Sequence, residues 1–254
     1  MTAVAGLFCL VAILYSAVGF GGGSSYTALL VLLEKEYALI PIISLCCNIV
    51  VVSGNVIFAL RHKLIEFKTA FPLVALSVPL SFMGGAVPIS ELLFVSLLAV
   101  VLFGAAVQML RTPSGGNERH GRLSIPSSNK AAGGVIGGGL GFISGLVGIG
   151  GGIFLAPVLH ALRWERTRNI AALCSLFILA NSCAGLLGQL TKLDGQGPLG
   201  VLQGNWGLIF AVFIGGIIGR NVSFNLLSET VIKRMTAVLI LFVAVRLAFK
   251  ALQI

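Results

Sequence analysis

The chain has 254 residues, 57% of them hydrophobic and only 10% charged, with a mean hydropathy of +1.04. A soluble domain carries roughly 25% charged residues, so this composition excludes an ordinary soluble enzyme or binding module and leaves no room for a large extramembrane domain. The net charge of +9 would suggest a nucleic-acid partner in a soluble chain, but here the basic residues sit in short loops between apolar runs, where they set membrane orientation.

The apolar runs are long and continuous, unlike the short alternating strands of a β-barrel. The fold class is therefore all-α integral membrane, and ten helical segments are predicted. The chain opens Met1-Thr2-Ala3-Val4 with no basic stretch, so the first segment, about 3–18, reads as a membrane segment and not as a cleaved signal peptide. Segments at about 24–33, 41–60, 67–87 and 91–110 complete a first membrane repeat, 1–110. Arg111 to Asn129 forms a polar linker rich in Pro, Gly, Ser and charge. Segments at about 130–147, 153–162, 169–190, 205–221 and 229–251 make a second membrane repeat, 130–254. Pro41 starts a helix, while Pro72, Pro79 and Pro157 kink theirs.

Each half carries the same glycine cluster after its first segment: Gly19-Phe20-Gly21-Gly22-Gly23 and Gly148-Ile149-Gly150-Gly151-Gly152. Four glycines in five residues hold a helix poorly, because glycine loses the most backbone entropy and offers no packing surface. The segments that follow are near ten residues, about half of the roughly 20 that a full span needs. Each break therefore joins two short helices in a re-entrant or half-helix arrangement. Broken backbone at membrane depth is tolerated only where protein buries it or where it lines a wet cavity. Paired breaks point to a binding site where the repeats meet. The halves also align elsewhere: Ser44-Leu45 and Gly54 with Ser175-Leu176 and Gly185, Gly84-Gly85 with Gly215-Gly216, and Ser90-Glu91 with Ser228-Glu229.

If all ten segments alternate across the bilayer, thirteen of the seventeen Lys and Arg fall on one side, leaving Lys35, Lys192, Arg246 and Lys250 on the other. Counting each broken pair as one pass splits them ten to seven. The positive-inside rule favours the first arrangement, with linker 111–129 cytoplasmic and both termini outside. Five segments per half is an odd number, so the two repeats are inverted.

The short helices begin at Ser24 and Ser25 in one half and at Ile153 in the other. A helix N-terminus carries unpaired N–H groups and partial positive charge, and glycines let a ligand approach the backbone. Two such termini meeting near the midplane would hold a small anion without a buried cation. The candidate binding residues are Gly19, Gly21, Gly22, Gly23, Ser24, Ser25, Gly148, Gly150, Gly151, Gly152 and Ile153, with Asn48, Ser175 and Asn181 from the long helices. For Asn48 and Asn181, substrate contact and interhelical hydrogen bonding both remain open. For Ser44 and Ser175 a bond to the carbonyl one turn back is expected. Gly137, Gly138, Gly139 and Gly141 read as a tight helix crossing. Ser90 and Ser228 cap helices that begin with Glu91 and Glu229. The five cysteines read as small membrane residues. No His/Asp/Glu/Cys spacing resembles a metal site or hydrolytic triad, so no catalytic residue, metal or cofactor is expected.

The duplicated glycine motif, the second copy followed by Ile153-Phe154-Leu155-Ala156-Pro157-Val158-Leu159, resembles the TauE/SafE family of sulfite exporter-type permeases, with Ala28 standing where the second half has Pro157. The resemblance covers essentially the whole chain. It implies a bacterial inner-membrane carrier for small sulfur-containing or organic anions such as sulfite or sulfonates. The expected partners are the lipid bilayer and a small anion, with no nucleic acid. The resulting reading is a secondary carrier that exports by alternating access. A channel-like anion pore and a membrane assembly factor or enzyme are the alternatives.

Overall fold

A computed structural model describes residues 2–33, 35–111, 130–161, 167–192 and 204–222, with six further positions between 238 and 249. Apart from those six positions, the predicted segment 229–251 falls outside the described residues, as do the linker beyond Arg111 and Ser228, Glu229 and Arg246. Every described element is helical: α1 Thr2–Ala17, α2 Gly23–Leu32, α3 Ile40–Arg61, α4 Phe67–Ala86, α5 Glu91–Arg111, α6 Lys130–Val147, α7 Gly152–Ala161, α8 Thr167–Leu190 and α9 Trp206–Val222.

Local chemistry sets several of these ends. Pro41 stands in the first turn of α3, where its missing N–H costs nothing. Ser90 Oγ accepts the Leu93 N–H at 3.4 Å, and Glu91 occupies the first turn of α5, the expected helix start. Pro72 and Pro79 lie inside α4. Among the described residues three helices are long and apolar enough to cross a membrane: Ile40–Arg61, Phe67–Ala86 and Asn169–Leu190. The ten-residue α2 and α7 are only about 15 Å long, half the thickness of a hydrocarbon core.

Several polar side chains are buried within the bundle, and large apolar side chains face outward. Asn48, Asn181, Ser77 and Ser81 are fully buried, whereas Phe71 and Val135 are 71% and 74% exposed. That distribution suits a lipid surround, where an outward amide finds no partner. One apolar core gathers α1, α2, α3 and α5 around Phe8, Tyr26 and Leu98; another gathers α4, α7 and α8 around Leu73, Leu155 and Phe177. Phe20 packs against both.

Helix pairing is reciprocal: α4 packs on α6 as α1 packs on α9, and α4 packs on α8 as α9 packs on α3. The α4–α6 seam is made by Gly137, Gly141 and Gly145, spaced one turn apart, where a Cβ would run into the carbonyls of Leu73, Ser77 and Ser81. In the α1–α9 seam, Gly215 and Gly219 stand likewise against the carbonyls of Cys9 and Ile13. Small residues of this kind let helix backbones meet. Gly138 also faces α4, where a Cβ would come within 2.8 Å of Leu80 Cδ1, whereas Gly139, the one expected seam glycine that differs, has nothing within 4 Å because it points away from the stripe at 3.6 residues per turn.

Candidate functional site at the paired glycine breaks

The two breaks adopt one backbone design twice. The N–H of Phe20 returns to the Tyr15 carbonyl at 2.8 Å, closing α1, and the N–H of Ile149 returns to the Ser144 carbonyl at 3.2 Å, closing α6. This closure turns on a left-handed residue just past the helix, here Gly19 at φ 85° and Gly148 at φ 74°. Three residues later Gly22 and Gly151, at φ 87° and 78°, open the next helices. The Gly22 carbonyl accepts from the Ser25 and Tyr26 N–H groups, as the Gly151 carbonyl does from Phe154 and Leu155. Gly22 supplies no side-chain cap. The amides of Gly23 and Ser24, and of Gly152 and Ile153, precede these bonds and point out of the helix starts. The second break carries one more left-handed glycine, Gly150 at φ 82°.

Each break is held by a long helix of the other half. Ser175 of α8 donates to the Gly19 carbonyl and lies 3.0 Å from that of Ala171, so the expected bond one turn back is joined by a cross-link. The Asn48 amide of α3 donates to the Ile149 carbonyl at 2.9 Å. Ser44 departs from its expected local bond. It donates to the Gly23 carbonyl at 2.9 Å and receives the Thr27 hydroxyl at 2.8 Å, because the first turn of α2 lies against it. Gly148 packs on Pro41 at the start of α3, while Gly19 packs on Ala171 and Ser175 of α8.

Between the helix starts lies a narrow recess of about 10 Å³, room for little more than one water molecule. Of the candidate residues, Gly21, Gly22, Gly23, Ser24, Asn48, Gly152 and Ile153 line it. Ser25 is turned aside onto the Tyr15 hydroxyl at 2.9 Å. Gly150 is wedged between Asn48, Ser182 and Ile178, and Gly151 lies against Phe177 and Ser144. Asn181 is buried, its carbonyl accepting the Ser81 hydroxyl at 2.9 Å, with no partner for its side-chain amide among the described residues. Tyr15, Phe20, Ile149 and Ile178 also line the recess and were not anticipated. A signal for Tyr15 existed: it precedes Gly19 by four residues, just as Ser144 precedes Gly148. Among the described residues no cluster of His, Cys, Asp or Glu is placed to hold a metal.

Described elements that are all helical, with polar groups buried, apolar side chains outside and helices of spanning length, make this a multi-pass membrane protein. Residues 4–247 match the family described as sulfite exporter TauE/SafE, and the chain belongs to that family. It is similar to the probable membrane transporter protein y4hK of Sinorhizobium fredii (strain NBRC 101917 / NGR234), with 30% identity over 241 residues, 94% of this chain and 95% of that one. No solved structure matches the chain. Family and relative together make it a membrane transporter.

Proposed function

We propose that this chain is a secondary carrier that exports a small sulfur-containing anion, sulfite or a sulfonate, across the bacterial inner membrane. The observation that carries the reading is the meeting of the α2 and α7 helix starts on one recess with no charged lining residue. Backbone amides and helix dipoles suit a small anion there, and they avoid the expense of a buried cation. The amides of Gly23, Ser24, Gly152 and Ile153 hold the anion, with Asn48 beside them. The family description supports a sulfur oxyanion as the substrate.

The reciprocal pairing of α4 with α6 and α1 with α9 supports two inverted repeats, and the Lys and Arg distribution supports a cytoplasmic linker 111–129. Rocking one repeat against the other opens the recess to each side in turn. A membrane potential negative inside favours anion exit by about 2.3 kcal/mol per charge per 100 mV. Counterflow in proteoliposomes tests this reading. Vesicles loaded with unlabelled sulfite should take up radiolabelled sulfite in a saturable, trans-stimulated manner. Flux that is linear in concentration, with no counterflow, would overturn the carrier mechanism.

A further inference from the structure

Toward the other end of α3 lies a second polar cluster, apart from the recess. Arg220, in the last turn of α9, turns its guanidinium onto the backbone of α3 at Gly54, where a Cβ would meet Nη1. Gly54 stands seven residues before the end of α3 at Arg61, about 10 Å of helix, so the charge reaches inward along the seam. One turn earlier on α9, a Cβ at Gly216 would meet Val51 at an ordinary 3.6 Å. The Ser16 hydroxyl joins the same seam, 2.9 Å from the Gly216 carbonyl and 3.1 Å from Asn55 Oδ1. With its oxygen occupied by Ser16, Asn55 is left with an amide Nδ2 that has no partner among the described residues, although the residue is only 6% exposed. Arg220 likewise has no hydrogen-bond or ion-pair partner among them.

We propose that the Arg220 guanidinium and the Asn55 amide form a second anion site, which receives the small oxyanion before it reaches the glycine breaks. Both groups only donate here, which matches an oxyanion and not a cation. Asn55 lies two turns from Asn48 on the same face of α3, which connects this site to the recess along one helix. Arg220 also belongs to the set of basic residues that charge distribution assigns to the cytoplasm. The choice of anion rests on the carrier reading above; the site itself rests on the seam.

Equilibrium binding of radiolabelled sulfite and sulfoacetate to the purified full chain in detergent tests it. The expected result is two sites per chain. Arg220→Gln removes one and Gly151→Leu removes the other, while Arg220→Lys weakens the first about tenfold as bidentate contact is lost. Asn55→Asp abolishes the same site, because a carboxylate repels the anion. Added salt weakens the Arg220 site more steeply than the uncharged recess. The proposal falls if folded Arg220→Gln or Asn55→Asp protein keeps the parental stoichiometry and affinity. It also falls if Arg220→Gln removes all binding, which would place Arg220 in the recess itself. If Gly151→Leu leaves binding and transport intact while Arg220→Gln removes a site, the recess reading fails and the second site stands. Binding of neither anion to the parent chain overturns both.

Discussion

The Asn48 side chain donates to the carbonyl of Ile149 at 2.9 Å across 101 positions of sequence, and three motif glycines leave room for it. A Cβ at Gly21 or Gly23 would collide with the Asn48 amide, and one at Gly150 would come within 2.7 Å of Nδ2. One helix of the first half thus grips the break of the second through a space that only glycine provides. Asn48→Ala should destabilise the protein by about 1–3 kcal/mol, since the Ile149 carbonyl loses its donor in an apolar interior. Thermal unfolding in detergent reads that loss, and an unchanged midpoint would show that the bond carries no weight.

The motif glycines should not be equivalent. Gly22→Ala and Gly151→Ala each force an L residue into left-handed backbone, at about 1–2 kcal/mol. Gly23→Ala keeps ordinary backbone but drives its Cβ into Asn48 and to 2.5 Å from the Ile149 carbonyl oxygen. Its defect should shrink in an Asn48→Gly background, whereas that of Gly22→Ala should not. Stability measured over the three single and two double variants gives the coupling; simple additivity for Gly23 would refute the steric account.

Much of this was legible in the sequence because the signals are local. Glycine clusters break helices wherever they stand, and Pro41 and Ser90 mark helix starts by their own chemistry. Repeat spacing exposed the likeness of the two breaks. The contacts between distant residues were not legible: nothing in the spacing of Asn48 and Ile149, or of Gly54 and Arg220, indicates that they touch. Ser44 shows the same limit, since its choice between its own helix and the Gly23 carbonyl depends on where α2 lies. Within the run Gly137 to Gly141, composition alone cannot tell a seam position from an outward one; only the helix phase against α4 does.

That phase makes a sharp contrast. Gly141→Val should disrupt the α4–α6 seam, because a Cβ there lies 2.5 Å from the Ser77 carbonyl oxygen and 2.7 Å from its Cα. Both neighbours are backbone-fixed, so the helices must separate, with a loss of about 1–3 kcal/mol or more. Gly139→Ala meets nothing within 4 Å and should be neutral or stabilising by up to about 1 kcal/mol through helix propensity. Comparable unfolding midpoints for the two variants would contradict the seam.

The recess also predicts how transport responds to pH. Among its lining residues only Tyr15 carries a titratable side chain, and no carboxylate, histidine, lysine or arginine is present. Tyrosine ordinarily titrates near pH 10, well outside the working range. A sulfonate keeps its charge throughout that range, so its counterflow should stay flat from about pH 6 to 8. If a proton travelled with the anion through a group in the recess, flux would change with pH, approaching tenfold per unit beyond the pKa of that group. Measuring sulfoacetate counterflow with equal pH on both sides of the membrane separates the two cases, because it removes any gradient and leaves only the protonation of the protein. A steep profile would place a proton-binding group on the transport path and would count against the amide-lined recess as the whole of the anion site.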